Sequence, residues 1–301
     1  MRKHWAWVSL ILANLFWAGN YLFGKYVTAE MPAVWITLLR WVLALLVLVP
    51  IARWSEKADW RIVRQHGLPL LALGLLGVIG YNLFLYAALA HTSSLNAALV
   101  NSLNPALIVI ASAFLLRERM NALQWGGFVL SLVGVMITLT RGELGLLAEL
   151  QLNRGDLLML LAITVWTGYS ILARRLGHIP PFTLTAVSAL FAVLLLLPFA
   201  LLTPFDAASV STLSWSGILY MAIFPSVGSY LLWNGGIRVT GANQAGFTLH
   251  LIPVFTALFG FLLGQSVTAA QLLGGLLVVA GVLGTSSAGR GMRKKASDRS
   301  T

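Results

Sequence analysis

Long apolar runs follow one another along the whole chain, with charge confined between them. A helix crosses the hydrocarbon core of a bilayer in about 20 apolar residues. Ten such runs are read here: Trp5–Lys25, Pro32–Ile51, Gly67–Ala90, Ser93–Leu116, Leu123–Thr140, Gly155–Arg175, Pro181–Leu202, Leu213–Ile237, Ala242–Gly264 and Ala269–Ser286. Connections are short and polar; the two longest, around Arg53–His66 and Arg141–Arg154, hold at most a surface helix. With 58% hydrophobic and 10% charged residues, the chain lies outside the range of soluble domains, about 45–50% and 25% respectively. The runs are continuous rather than alternating in segments of about ten residues, which excludes a membrane β-barrel. Pro105, Pro225 and Pro253 fall inside runs, as membrane helices tolerate where neighbours satisfy the freed carbonyls. The chain reads as an all-α integral membrane protein.

A net charge of +11 invites a nucleic-acid reading, which needs a basic stripe on a folded surface. Here the basic residues sit in small groups between apolar runs and act instead as topology signals. Arg2, Lys3, Arg53, Lys57, Arg61, Arg64, Arg117, Arg119, Arg174, Arg175, Arg238, Arg290, Arg293, Lys294, Lys295 and Arg299 fall on one side, sixteen in all. The other side holds three, Lys25, Arg141 and Arg154, with Arg40 inside a run. This asymmetry places both termini in the cytoplasm. The start reads as a first span rather than a cleaved leader: its apolar run continues through Trp17, Tyr21 and Phe23 without a small-residue cleavage site. The chain has no Cys, which removes thiolate catalysis, cysteine zinc sites and iron–sulfur clusters.

The two halves repeat. A shift of 149 residues lays Trp17-Ala18-Gly19 over Trp166-Thr167-Gly168, and Pro32 over Pro181. A shift of 148 lays Gly80 over Gly228, Pro105 over Pro253, and Gly126-Gly127 over Gly274-Gly275. Residues 1–148 and 149–289 are thus read as two five-helix repeats, followed by a basic cytoplasmic tail, 290–301. Five spans per half force the second copy into the membrane upside down, and inverted repeats of this kind are frequent in secondary transporters.

The Leu39-Arg40 pair, Asn104-Pro105, Leu115-Leu116-Arg117-Glu118-Arg119, Gln124-Trp125-Gly126-Gly127 and Gly134-Val135, in that order across ten spans, resemble the drug/metabolite transporter superfamily, EamA-type branch. Within it the chain is similar to bacterial amino-acid exporters of the YddG type. The resemblance covers nearly the whole chain and implies export of amino acids, aromatic ones among them, or similar small amphipathic metabolites. In the second half, Ser266, beside Gln265, stands where Glu118 stands in the first; Glu118 is read as a helix-end structural residue.

Polar groups inside a bilayer are costly and mark function or interhelical contact. Asn14, Trp17, Tyr21 and Lys25 share one face of the first span; Asn82 and Tyr86 share a face of the third, with Tyr81 beside them. The eighth span carries Tyr230 and Asn234 at the equivalent positions, in swapped order. Trp166, Tyr169 and Ser170 follow on the sixth; Asn243, Gly246, Phe247 and His250 on the ninth, with His250 aligned to Ser102 beside Asn101. The substrate-binding set is therefore Asn14, Trp17, Tyr21, Tyr81, Asn82, Tyr86, Asn101, Trp166, Tyr169, Tyr230, Asn234 and His250. These lie around an expected central cavity, whose rings and amides suit a small amphipathic solute; helix glue and interface anchoring are the competing roles for each residue.

Arg40 lies about eight residues, roughly 12 Å, below the outer end of its helix. It can meet a substrate carboxylate, or it can snorkel or cap backbone carbonyls; the Leu-Arg resemblance favours the structural role. All nine acidic residues (Glu30, Glu56, Asp59, Glu118, Glu143, Glu149, Asp156, Asp206, Asp298) fall in loops or near span ends. Without a mid-membrane carboxylate, and with His250 the lone titratable candidate at depth, transport reads as facilitated or weakly proton-coupled. No phosphate-binding glycine loop, metal cluster or catalytic constellation appears. No enzyme activity, cofactor or metal is expected, and the partners are a small solute and the lipid bilayer, with the chain as monomer or homodimer and no nucleic acid. A sugar-phosphate carrier is a thin alternative, because it needs paired basic residues at mid-depth. A membrane-embedded lipid-carrier enzyme is an unlikely one, for want of clustered acid–base groups. The glycines of the fifth and tenth spans read as scaffold or dimer surface, and Gly260 and Gly264 as a GxxxG packing or sliding surface.

Overall fold

A computed structural model describes residues 3–56, 60–92, 97, 100–118, 120–143, 145, 153–262, 264 and 266–297, apart from the side chains of 60, 62 and 286–297. The expected signals at Arg2, Lys57, Asp59, Arg119, Glu149, Gln265, Asp298 and Arg299 lie outside the described residues, as do most of the residues that open the fourth run. Among the described residues all regular structure is helical. Eight helices are long and apolar enough to cross a membrane: α1 (Lys3–Glu30), α2 (Ala33–Ser55), α3 (Gly67–His91), α5 (Ala122–Thr140), α6 (Arg154–Arg175), α7 (Pro181–Leu201), α8 (Thr212–Thr240) and α9 (Ala242–Leu262). Two more are apolar but shorter or only partly apolar, α4 (Asn104–Leu115) and α10 (Ala269–Ser297). α10 thus stays helical into the segment expected as a separate tail.

Helix starts are written in side-chain chemistry. Asn121 and Gln124 cap each other's backbone at the start of α5, and Asn153 and Asp156 do so at α6. Thr268 and Gln271 repeat the arrangement before α10, with bonds of 3.0 and 3.2 Å. Three carboxylates cap helices of the other half. Glu56 accepts from Phe182 and Thr183 amides at α7, and Glu30 from Ser211 ahead of α8. Glu118 accepts from Ala242 and Asn243 amides at α9 and pairs with Arg174 at 3.4 Å. A carboxylate at a helix N-terminus satisfies orphaned N–H groups and the positive end of the dipole. Glu118 is structural, as expected.

Packing follows the sequence repeat. α1 packs on α8 and α9 as α6 packs on α3 and α4, and α2 meets α8 as α7 meets α3. The equivalent pairs α2/α7, α4/α9 and α5/α10 pack on each other and run antiparallel. Trp35 near the start of α2 donates to Thr203 beyond α7, while Glu56 past the end of α2 reaches Thr183 at the start of α7. The two π-helical segments, Gly74–Gly80 in α3 and Ala222–Ser229 in α8, start at positions 148 residues apart, the shift of the repeat. Wide turns of this type inside helices cluster at functional sites.

α5 and α10 meet backbone to backbone. A Cβ on Gly127 would stand 2.6 Å from Gly281 O, and one on Gly134 2.6 Å from Gly274 O. These contacts make Gly127 equivalent to Gly274, and Gly134 to Gly281, a shift of 147 rather than the 148 read from the glycine pairs. The glycines therefore join the two halves within one chain. Gly260 and Gly264 do not form a packing stripe: α9 ends at Leu262, and Gly264 lies beyond it at φ +85°. Overpacking a helix contact costs about 1–3 kcal/mol, and backbone cannot yield as side chains do. Gly134→Leu is expected to lower the thermal unfolding midpoint of the purified protein by several degrees, whereas Gly126→Leu, where a Cβ meets nothing within 4 Å, leaves it within about a degree.

Candidate functional site

Trp166 of α6 is the hub of an aromatic cluster where the halves meet. Its ring lies 5.0 Å from Trp17 (α1), 4.9 Å from Tyr81 (α3), 4.9 Å from Tyr169, 5.5 Å from Tyr230 and 5.7 Å from Trp233 (both α8). Trp17 also meets Tyr230 and Trp233, and Trp41 of α2 packs edge-on against Tyr230 at 4.8 Å. All are buried except Tyr81, which is half-buried. Ring pairs at these spacings contribute about 0.5–1.5 kcal/mol each beyond area burial. The sequence leads one to expect rings lining an open cavity; here the expected lining closes on itself, ring against ring.

Arg40 is 1% exposed, so it does not snorkel. Nor does it cap carbonyls. Its Nε donates to Ser226 Oγ of α8 at 2.8 Å, and Nη1 faces Asn20 Oδ1 at 3.1 Å, Asn82 Oδ1 at 2.9 Å and the Tyr86 hydroxyl. Every acceptor is a neutral side-chain oxygen. Asn82 is itself oriented by donating to Val78 O at 2.8 Å and Gly77 O at 3.2 Å, in the π segment of α3. Tyr230 donates to the same Gly77 carbonyl from the other half. Among the described residues the one ion pair is Arg174–Glu118, so the Arg40 charge has no carboxylate beside it. A buried Arg at the centre of a membrane helix costs about 2.5–3.5 kcal/mol on insertion scales, which four polar contacts offset.

The second half carries a matching but uncharged arrangement. Tyr169 and Asn234 exchange hydrogen bonds of 3.0 and 2.8 Å, and Asn234 donates to Thr185 at 3.1 Å. In the first half Tyr86 donates to Asn20 Oδ1 at 3.0 Å. Asn20 is the repeat partner of Tyr169 and Tyr86 that of Asn234, so the Asn–Tyr pair is kept with its members exchanged. Arg40 falls opposite Ala189.

The structure thus brings Trp17, Tyr21, Tyr81, Asn82, Tyr86, Trp166, Tyr169, Tyr230 and Asn234 together; Tyr21 joins through its hydroxyl, 3.5 Å from that of Tyr81. Asn14 and His250 sit apart, Asn14 against α9 and His250 against α5. Asn14 donates to Thr248 at 2.9 Å. His250 stacks on Phe128, with Nδ1 2.7 Å from Ser131 Oγ and Nε2 3.2 Å from Ser102 O. A carbonyl only accepts, so Nε2 carries the proton. Asn101 is buried near the start of α4. A separate hollow of about 590 Å³ lies where α6 and α8 end and α7 begins, lined by Arg174, Arg175, His178 and Arg238 among others.

Sequence reasoning did not single out Asn20, Trp41, Ser226 and Trp233, and for Arg40 it favoured a structural role over a substrate carboxylate. Asn20 was legible as a mid-span amide one turn from Trp17. Trp41 and Trp233 look like ordinary apolar residues until the fold sets them against the cluster. Six buried side-chain atoms have no hydrogen-bond partner among the described residues: Asn14 Oδ1, Trp41 Nε1, Ser170 Oγ, Ser214 Oγ, Trp233 Nε1 and Gln244 Oε1. Each such atom costs about 1–3 kcal/mol. Truncating a buried Trp costs about 3–5 kcal/mol; Trp166→Ala is accordingly expected to lower the unfolding midpoint strongly, and Trp166→Phe far less, in thermal unfolding of the purified protein.

The sequence profile of the EamA-like transporter family matches twice, over residues 4–140 and 153–287. An uncharacterized transporter of Bacillus subtilis, YyaM, is 28% identical over 280 residues, spanning 92% of both chains. The aromatic amino acid exporter YddG of Ancylobacter novellus is 26% identical over 190 residues, 63% of this chain and 66% of that one. A solved crystal structure aligns with a TM-score of 0.77 at 21% identity, covering 97% of this chain and 99% of that chain, a likeness of fold. A family profile that recurs in both halves of the sequence, across the helices that carry the aromatic cluster, settles the family: this chain belongs to the EamA-like transporters.

Proposed function

We propose that the protein is a ten-span inner-membrane carrier, built from two inverted five-helix repeats with cytoplasmic termini, that exports amino acids, aromatic ones included, by alternating access. The antiparallel packing of α2 on α7, α4 on α9 and α5 on α10 supports the inversion, and the sixteen-to-three split of basic residues supports the orientation. One observation carries the transport reading. The ring cluster is contributed by both halves, with Trp17 and Trp166 on repeat-equivalent helices and in contact at 5.0 Å. Rocking one half against the other parts these rings and exposes a site walled by aromatic faces and neutral amides. An aromatic side chain entering there regains the contacts that the rings lose.

Coupling follows from what stands at depth. Both nitrogens of His250 have partners, and the described carboxylates lie at helix ends or in loops. Labelled L-phenylalanine is expected to enter proteoliposomes to equal concentration without an ion gradient. Accumulation only under a pH gradient would overturn uncoupled transport, and no uptake of any amino acid would overturn the substrate class. Losing about 1 kcal/mol of ring contact corresponds to roughly fivefold, the rise in KM expected for Trp166→Phe at equal expression.

A further inference from the structure

We infer that Arg40, with the indole N–H groups of Trp41 and Trp233, forms the carboxylate-binding end of the transport site. The inference deepens the transport reading by naming the substrate class: solutes with an apolar body and a free carboxylate. Three observations converge. Arg40 is a buried cation held only by neutral oxygens, with no carboxylate partner among the described residues. Trp41 Nε1, on the neighbouring residue, and Trp233 Nε1, within the ring cluster, are buried donors without acceptors among the described residues. Both indoles belong to the ring cluster, Trp41 through Tyr230 and Trp233 through Trp17 and Trp166, and the Arg40 guanidinium lies 5.9 Å from the Trp41 ring centre.

The chemistry of this set is one-sided. Guanidinium and indole donate and do not accept. A ligand gains there only by bringing acceptors, and gains most when these are charged. A carboxylate supplies two acceptor oxygens and the missing negative charge. A carboxamide of the same shape supplies one acceptor, no charge, and an NH₂ group that these donors cannot receive. The orphaned acceptors Asn14 Oδ1 and Gln244 Oε1 are on α1 and α9, outside the Arg40 network.

Two matched pairs test this on detergent-purified protein: 3-phenylpropionate against 3-phenylpropionamide, and L-phenylalanine against L-phenylalaninamide, titrated by thermal shift. Each carboxylate is expected to bind at least about tenfold more tightly than its amide, about 1.4 kcal/mol. Arg40→Gln is expected to abolish the preference. Trp233→Phe, which keeps the ring and removes the donor, is expected to shrink it severalfold without changing the unliganded unfolding midpoint as much as Trp233→Ala does. Equal binding of acid and amide, a preference that survives both Arg40→Gln and Trp233→Phe, or no binding of any probe would overturn the inference. Proteoliposome uptake separates it from the transport reading. Carboxylate-selective binding without uptake leaves the site and removes the carrier, while equal uptake of acids and amides does the reverse.

Discussion

A polar group inside a bilayer has no water to fall back on, and this fold answers that constraint largely across the boundary between its halves. Arg40 bonds Ser226, Asn14 bonds Thr248, Tyr230 bonds the Gly77 carbonyl, and Thr167 reaches Asn104 at 3.3 Å. Ser229 and Tyr220 donate to carbonyls of α1, at 2.9 and 3.1 Å. Interhelical hydrogen bonds in membranes average about 0.6 kcal/mol, so no single one locks the halves. Together they set the register of the two halves. The rigid joint lies elsewhere, at the glycine contacts of α5 with α10, where backbone meets backbone.

The repeat is kept where it builds the frame and broken where it builds the site. The π segments begin at equivalent residues, the α5 and α10 glycines oppose each other symmetrically, and the Asn–Tyr pairs recur with their members exchanged. Against this background the ring cluster is lopsided: Trp17 and Trp166 correspond, but Tyr230 stands opposite Asn82 and Trp233 opposite Leu85. Arg40 has Ala189 as its counterpart. An asymmetric solute needs an asymmetric site, and two identical halves would offer it the same groups twice.

How much of this was legible in sequence depends on the range of the interaction. Apolar spans and the recurrence of the two halves are local or periodic signals, and they were readable from apolar runs and from Trp17 over Trp166. Nine of the twelve residues read as lining do converge, because polar or aromatic groups on an inward face have few other places to go. Asn14 and His250 share that chemistry but meet α9 and α5 instead, and spacing along one helix cannot tell which neighbour a face will meet. The Arg40 network was illegible for the same reason: its partners lie on α1, α3 and α8, up to 186 residues away. The GxxxG pattern misled because Gly264 ends a helix rather than packing one.

On the transport reading proposed above, the closed centre sets a condition on the solute. Parting Trp166 from Trp17 and Tyr81, its ring neighbours in the other half, forfeits contacts of about 0.5–1.5 kcal/mol each, which a small hydrophilic molecule does not restore. An aromatic or bulky apolar side chain restores most of them, because it meets the same ring faces that the cluster offers to itself. Opening then becomes an exchange of one packed arrangement for another rather than a net loss. A ligand shifts such an equilibrium only by its differential affinity for the two states, and here that difference arises from rings that are already paired when the site is empty. On that reading the same pairing closes the empty carrier to small polar solutes, and selectivity and closure rest on one set of contacts.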